Sequence, residues 1–127
     1  MEYLNSALRL YDDDFLPECR YEDWAAPERE RLRHLYLSAA GRLAQLYIDQ
    51  QSWDEVIQIS NQTLARDPLW EPAYRHLMQA HARKGNLAQV QATFNRLRAG
   101  LQRDLGVDPS TETEQLLTSL VQPRRKP

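Results

Sequence analysis

Laid against itself with a shift of 34 residues, the sequence sets Leu43 on Leu77, Ala44 on Met78, Tyr47 on His81 and Val56 on Val90. A chain that repeats at this interval is built from copies of one supersecondary unit. A unit too small to bury its apolar face alone must stack on its neighbours. The local pattern identifies the unit as a helix pair. From 27 to 50, PERERLRHLYLSAAGRLAQLYIDQ spaces Leu32, Leu35, Tyr36, Ala39, Leu43, Leu46 and Tyr47 with the 3.6 period of one long helix. Trp53, Val56, Ile57, Ser60 and Leu64 form one face of a second helix. It must end before Pro68, whose ring disfavours helical geometry at Asp67 and supplies no N–H. Trp70, Ala73, Tyr74, Leu77, Met78 and His81 share a face of a third, with Pro72 in its first turn and Gly85 as its left-handed stop. Leu87, Val90, Phe94, Leu97 and Leu101 mark a fourth, ending near Leu105 and Gly106. A short last helix carries Leu116, Leu117, Leu120 and Val121. Ser52 with Glu55, and Thr111 with Glu114, read as capping boxes, and Asn86 with Gln89 restarts the chain between the third and fourth helices. No run of alternating β-branched residues reads as a strand.

Length and composition set the outer bounds. At 127 residues the chain is one domain able to bury about two thirds of its unfolded surface. With 27% charged residues, 42% apolar residues and a net charge of -2, it has the composition of a globular protein and not of a bulk nucleic-acid binder. The single cysteine, Cys19, has no partner for an internal disulfide, which fits a reducing compartment. No apolar stretch approaches the roughly 20 residues needed to span a bilayer, and the N-terminus MEYLNSALRLYDDD lacks the basic-then-apolar order of a signal peptide. The expected location is the cytoplasm, with no membrane contact.

Thirty-four is the period of the tetratricopeptide repeat, and the chain resembles its pattern through Leu43-Ala44-x2-Tyr47, Val56-x3-Ser60 and Pro68. The second copy is Tyr74-x2-Leu77-Met78-x2-His81, followed by Val90-x3-Phe94. The expected fold is all-α: a tetratricopeptide-like stack of antiparallel helix pairs, about six helices in all. It counts an N-terminal helix around Leu4, Ala7, Leu8 and Tyr11 and a C-terminal capping helix. The domain is expected to run from 1 to 122, with residues 123–127 a frayed basic tail. In such a stack the first helix of each pair lines the concave face, which places Ser38, Gly41, Arg42, Gln45 and Asp49 there, then Arg75, His76, Gln79 and Arg83. A solvated polar face is the plainest reading of that set. The sharper one is an arginine-containing groove for an acidic peptide or helix. The repeat that clamps a terminal carboxylate wants Lys and Asn at groove positions where this chain has Gly41 and Gln45.

The acidic stretch from Asp12 to Trp24 interleaves Phe15, Leu16, Tyr21 and Trp24. These residues pin the stretch to the core or form an interface segment, since aromatics are favoured at interface hot spots. Charge is divided along the chain. Residues 1–30 hold 9 acids and 3 bases, net -6, while 31–127 hold 9 acids and 13 bases, net +4. The N-terminal segment is therefore expected to pack on the basic helices of its own molecule or to bridge to a second protomer.

Four pieces together resemble the bacterial transcriptional activator domain: LY-x4-LP-x5-DW at 10–24, E-R-x-R-L at 28–32, the DP-x4-AYRHLM block, and R-x-LGV-x-PS-x-ET from Arg103 to Thr113. The resemblance covers nearly the whole chain. It implies an all-helical, repeat-like module, in that family usually attached behind a winged helix-turn-helix, with a non-catalytic regulatory role in transcription activation. The implied partners are RNA polymerase, the regulator's own DNA-binding domain and a second protomer. No winged-helix sequence precedes Met1, so DNA contact is expected only through a domain absent from this chain. The alternative is a free-standing tetratricopeptide-type scaffold for a partner protein or peptide.

No enzyme, cofactor or metal site is expected. His34, His76 and His81 share no i, i+4 spacing with one another. Asp12, Asp13 and Asp14 lack the glycine and distal glutamate of a calcium loop. Asn61-Gln62-Thr63 falls inside a helix, and the four glycines, at 41, 85, 100 and 106, make no phosphate loop. His81 is expected in the core at the repeat's tyrosine position. Arg124, Arg125 and Lys126 offer only a small salt-dependent attraction to phosphates.

Overall fold

The computed structural model describes residues 25–122, which form five helices and no strand. They are α1 (Ala25–Asp49), α2 (Trp53–Arg66), α3 (Glu71–Arg83), α4 (Leu87–Leu105) and α5 (Thr111–Val121). The helix expected around Leu4 to Tyr11 lies outside the described residues. Each helix packs on the next; α3 also meets α1 and α5, and so sits at the centre.

The 34-residue period extends to the backbone. Ser52 N donates to Tyr47 O at 2.8 Å, and Asn86 N to His81 O at 2.8 Å. Gln51 N donates to Ile48 O at 2.9 Å, and Gly85 N to Ala82 O at 3.0 Å. Both turns thus close a helix through a left-handed residue, with φ of 59° at Gln51 and 78° at Gly85. Only the second copy spends a glycine on it. Gln51→Gly is accordingly expected to raise stability by about 0.5 to 1 kcal/mol, the left-handed cost of a side chain less glycine's extra unfolded freedom. Urea denaturation measures this, and an unchanged midpoint would mean that Gln51 carries no strain.

Three apolar clusters fill the interior. Tyr36, Leu37, Ala40 and Leu43 of α1 meet Ile59 of α2. Leu64 of α2, Tyr74 and Leu77 of α3, and Leu97 and Leu101 of α4 form the second, with Trp70 packed against both. Met78, Val90 and Phe94 form the third, covered by half-buried Leu116, Leu117, Leu120 and Val121 of α5.

Several expectations are corrected. The apolar stripe on α1 is rotated: Leu35 and Leu46 are 50% and 39% exposed, while Leu37, Ala40 and Ala44 are buried. The long helix carries more apolar surface than α2 and α3 cover, and the face they cover is centred on Ala40 and Leu43. His81 is half-buried and not in the core. Trp70 is the N-cap residue of α3, just outside the helix, with Pro72 in the first turn. Ser52 occupies the N-cap of α2 without a side-chain cap bond, its backbone at φ -91°, ψ 74° instead of extended. Ser110, not Thr111, caps α5. Arriving extended after Pro109, its Oγ accepts from Thr113 N at 3.2 Å.

Candidate functional site

The site is built where the end of the chain returns to α3. Gly106 closes α4 in the left-handed conformation, φ 66°, and the following link delivers Ser110 to the start of α5. There the Glu71 carboxylate, at the first residue of α3, accepts from Ser110 N at 2.7 Å and from Thr113 Oγ1 at 2.6 Å. One turn on, Arg75 donates through Nη1 to Thr113 Oγ1 at 3.0 Å, and its Nε lies 3.6 Å from Glu112. The Thr113 hydroxyl, wholly buried, is also 3.1 Å from Ser110 Oγ. It donates once and accepts twice, which uses its full capacity. Glu71 and Arg75 therefore grip the first turn of α5 from one face of α3.

Electrostatics favour the charged clamp. Burial pushes the Glu71 carboxyl up, but hydrogen bonds from Thr113 and Ser110, with the Arg75 charge, outweigh burial and hold it below the ordinary carboxylate value. Burial, and then the charge of Arg75, push His76 below the ordinary histidine value. His76 thus favours the neutral ring beside a permanent cation.

With α5 held in this way, a groove of about 470 Å³ opens between three helices. Gln45 of α1, Arg75, His76 and Gln79 of α3, and Glu112, Gln115, Leu116 and Ser119 of α5 line it. Four of the nine expected concave-face residues are thus brought together: Gln45, Arg75, His76 and Gln79. The other five, Ser38, Gly41, Arg42, Asp49 and Arg83, lie outside the lining. Arg42 is exposed on α1. Asp49 accepts from Gln45 Nε2 at 3.1 Å, and the Arg83 guanidinium sits 5.3 Å above the Trp53 ring. Phe15, Leu16, Tyr21 and Trp24 lie outside the described residues. The α5 wall was not anticipated, although T-E-T-E-Q directly after a cap signalled a polar face there. Among the described residues no three His, Cys, Asp or Glu side chains group to hold a metal, and no helix is long and apolar enough to cross a membrane.

The sequence model of the bacterial transcriptional activator domain matches residues 1–120. The chain belongs to that family. No curated protein and no solved structure matches the chain significantly. In this bacterial transcriptional activator domain the R-x-LGV-x-PS-x-ET element has a definite structural task. Gly106 ends α4, Ser110 caps α5, and Thr113 locks α5 onto Glu71 and Arg75.

Proposed function

We infer that the chain is the non-catalytic regulatory and protein-interaction part of a bacterial transcription activator, working in the cytoplasm. In this reading it is a tetratricopeptide-like stack capped by α5. Its groove contacts RNA polymerase, the activator's own DNA-binding domain or another protomer. One observation carries the reading: three glutamines, Gln45, Gln79 and Gln115, from three different helices line a single groove. Gln45 and Gln79 are 34 apart, the same position in successive repeats. Carboxamides both donate and accept, as a peptide main chain does, so the lining suits a peptide segment. It suits an acidic one less well, because Arg75 already engages Thr113 and Glu112.

Tethering tests the proposal. Joined to an unrelated sequence-specific DNA-binding domain, the chain is expected to raise transcription from a promoter carrying that domain's site. Gln79→Arg, which crowds the groove and adds a cation beside Arg75, is expected to lower that activation roughly tenfold, the effect of one interface contact worth about 1.4 kcal/mol. No activation by the unaltered chain would sink the activator reading in favour of a scaffold. Full activation by Gln79→Arg would move the contact to another face.

A further inference from the structure

A different surface is basic. Between Arg83 and Arg103 the sequence holds five bases and no acid. At the start of this stretch the cations are occupied, Lys84 by Asp54 and Arg83 by the Trp53 ring. Further along, Arg96 and Arg103 stand two turns apart on one face of α4. The Arg96 guanidinium lies 5.2 Å above the ring of Tyr74, which is itself buried and donates its hydroxyl to Pro68 O at 2.7 Å. Arg96 pairs with no carboxylate among the described residues. Between the two arginines is Gly100, where an added Cβ would meet Leu69 Cδ2 at 2.9 Å and Arg103 Nη2 at 3.8 Å. The result is a cationic shelf floored by Leu69, with Arg103 at its edge ion-paired with Asp104 at 2.9 Å.

The start of α1 belongs to the same corner of the molecule. Arg33 Nη2 reaches Asp67 Oδ2 at 2.7 Å, and the link that begins at Asp67 brings Leu69 against α4 at Gly100. Ala25 precedes Arg33 by eight residues, about 12 Å along the helix. The run Asp12 to Asp14 lies 11 to 13 residues before Ala25, a reach of about 36 to 47 Å when extended. Residues 1–24 hold seven acids and two bases. The shelf is thus within reach of the chain's own most acidic segment and opposite to it in charge.

We propose that the acidic stretch from Asp12 to Asp23 docks on the Arg96–Arg103 shelf of its own α4, covering the corner where α2 hands over to α3. The contact is separate from the α1–α3–α5 groove and does not depend on it.

An arginine-specific protease acting on the full chain reads the contact at Arg20, inside the docked stretch. The double substitution Arg96→Glu with Arg103→Glu is expected to speed cleavage at Arg20 roughly fivefold, the effect of losing two surface ion pairs. Its circular dichroism should match that of the parent. Exchanging the charges, by adding Asp12→Lys, Asp13→Lys and Asp14→Lys to that variant, is expected to restore protection. An unchanged rate at Arg20, or an exchange that fails to rescue, overturns the proposal. So does protection that vanishes on dilution, which would mean that a second copy is the occupant. A random-sequence DNA duplex that binds the parent better than the double variant, with Arg20 equally cut in both, would assign the shelf to phosphates instead.

Discussion

Leu97→Ala is expected to lower the unfolding free energy by about 3 kcal/mol, within the usual range for truncating a fully buried leucine. Leu97 has no exposed surface and belongs to the cluster where α2, α3 and α4 converge. Removing its branched end leaves a cavity walled by Leu64, Tyr74, Leu77 and Leu101, on three helices that cannot all close in together. For a domain near 100 residues, each kcal/mol corresponds to roughly 4 to 8 °C in Tm, so calorimetry should show a drop of at least about 12 °C. Leu105→Ala on the same helix is the control. Leu105 is 63% exposed, and its loss should stay within about 0.5 kcal/mol. A Leu97→Ala domain as stable as that control would mean that α4 is not anchored where the packing puts it.

The same contrast shows what could be read from the sequence and what could not. On α2, α3 and α4 the apolar spacing picked out the buried side chains: Val56, Leu77, Met78, Phe94 and Leu97 are all inside. Those helices are gripped from two or more sides, so nearly every apolar residue on the inner face finds cover. On α1 the spacing misled, because a 25-residue helix extends past its partners and Leu35 and Leu46 lie on the far side. Periodicity reveals an apolar face but not how much neighbouring helices cover. Asn86 caps α4 by accepting from Gln89 N, as the spacing indicated, but the two capping boxes failed for a similar reason. S-x-x-E and T-x-x-E match a capping box, but whether the serine or threonine side chain turns inward depends on the backbone entering the helix. Left-handed Gln51 precedes Ser52, and Pro109 shifts the cap of α5 to Ser110. As for the groove, its α1 and α3 walls followed from repeat position. Its α5 wall depends on tertiary bonds from Glu71 and Arg75 to residues about 40 positions away, which no local pattern encodes.

Glu71→Ala tests that tertiary lock and is expected to cost about 2 to 3 kcal/mol, the scale of hydrogen bonds to a charged acceptor. The substitution deprives Ser110 N and Thr113 Oγ1 of their acceptor together, and Thr113 Oγ1 is too deeply buried to find water in exchange. Arg75 loses the carboxylate one turn before it and keeps only Glu112, which is largely exposed. The loss should concentrate in one element. Amide hydrogen exchange in 111–121 should accelerate far more than in α2 or α3, because the apolar side of α5 is only half-buried and cannot hold the helix alone. Glu71→Gln, which keeps an acceptor oxygen but not the charge, should cost less. The pair Glu71→Ala with Thr113→Val should cost less than the sum of its parts, since the second change removes the donor that the first left stranded. Uniform acceleration of exchange, or strictly additive costs, would show that Glu71 supports α3 generally and does not lock α5. If exchange rises in α5 alone, the wall carrying Gln115 loosens with it. Activation in the tethered assay should then fall even though no residue lining the groove has been changed.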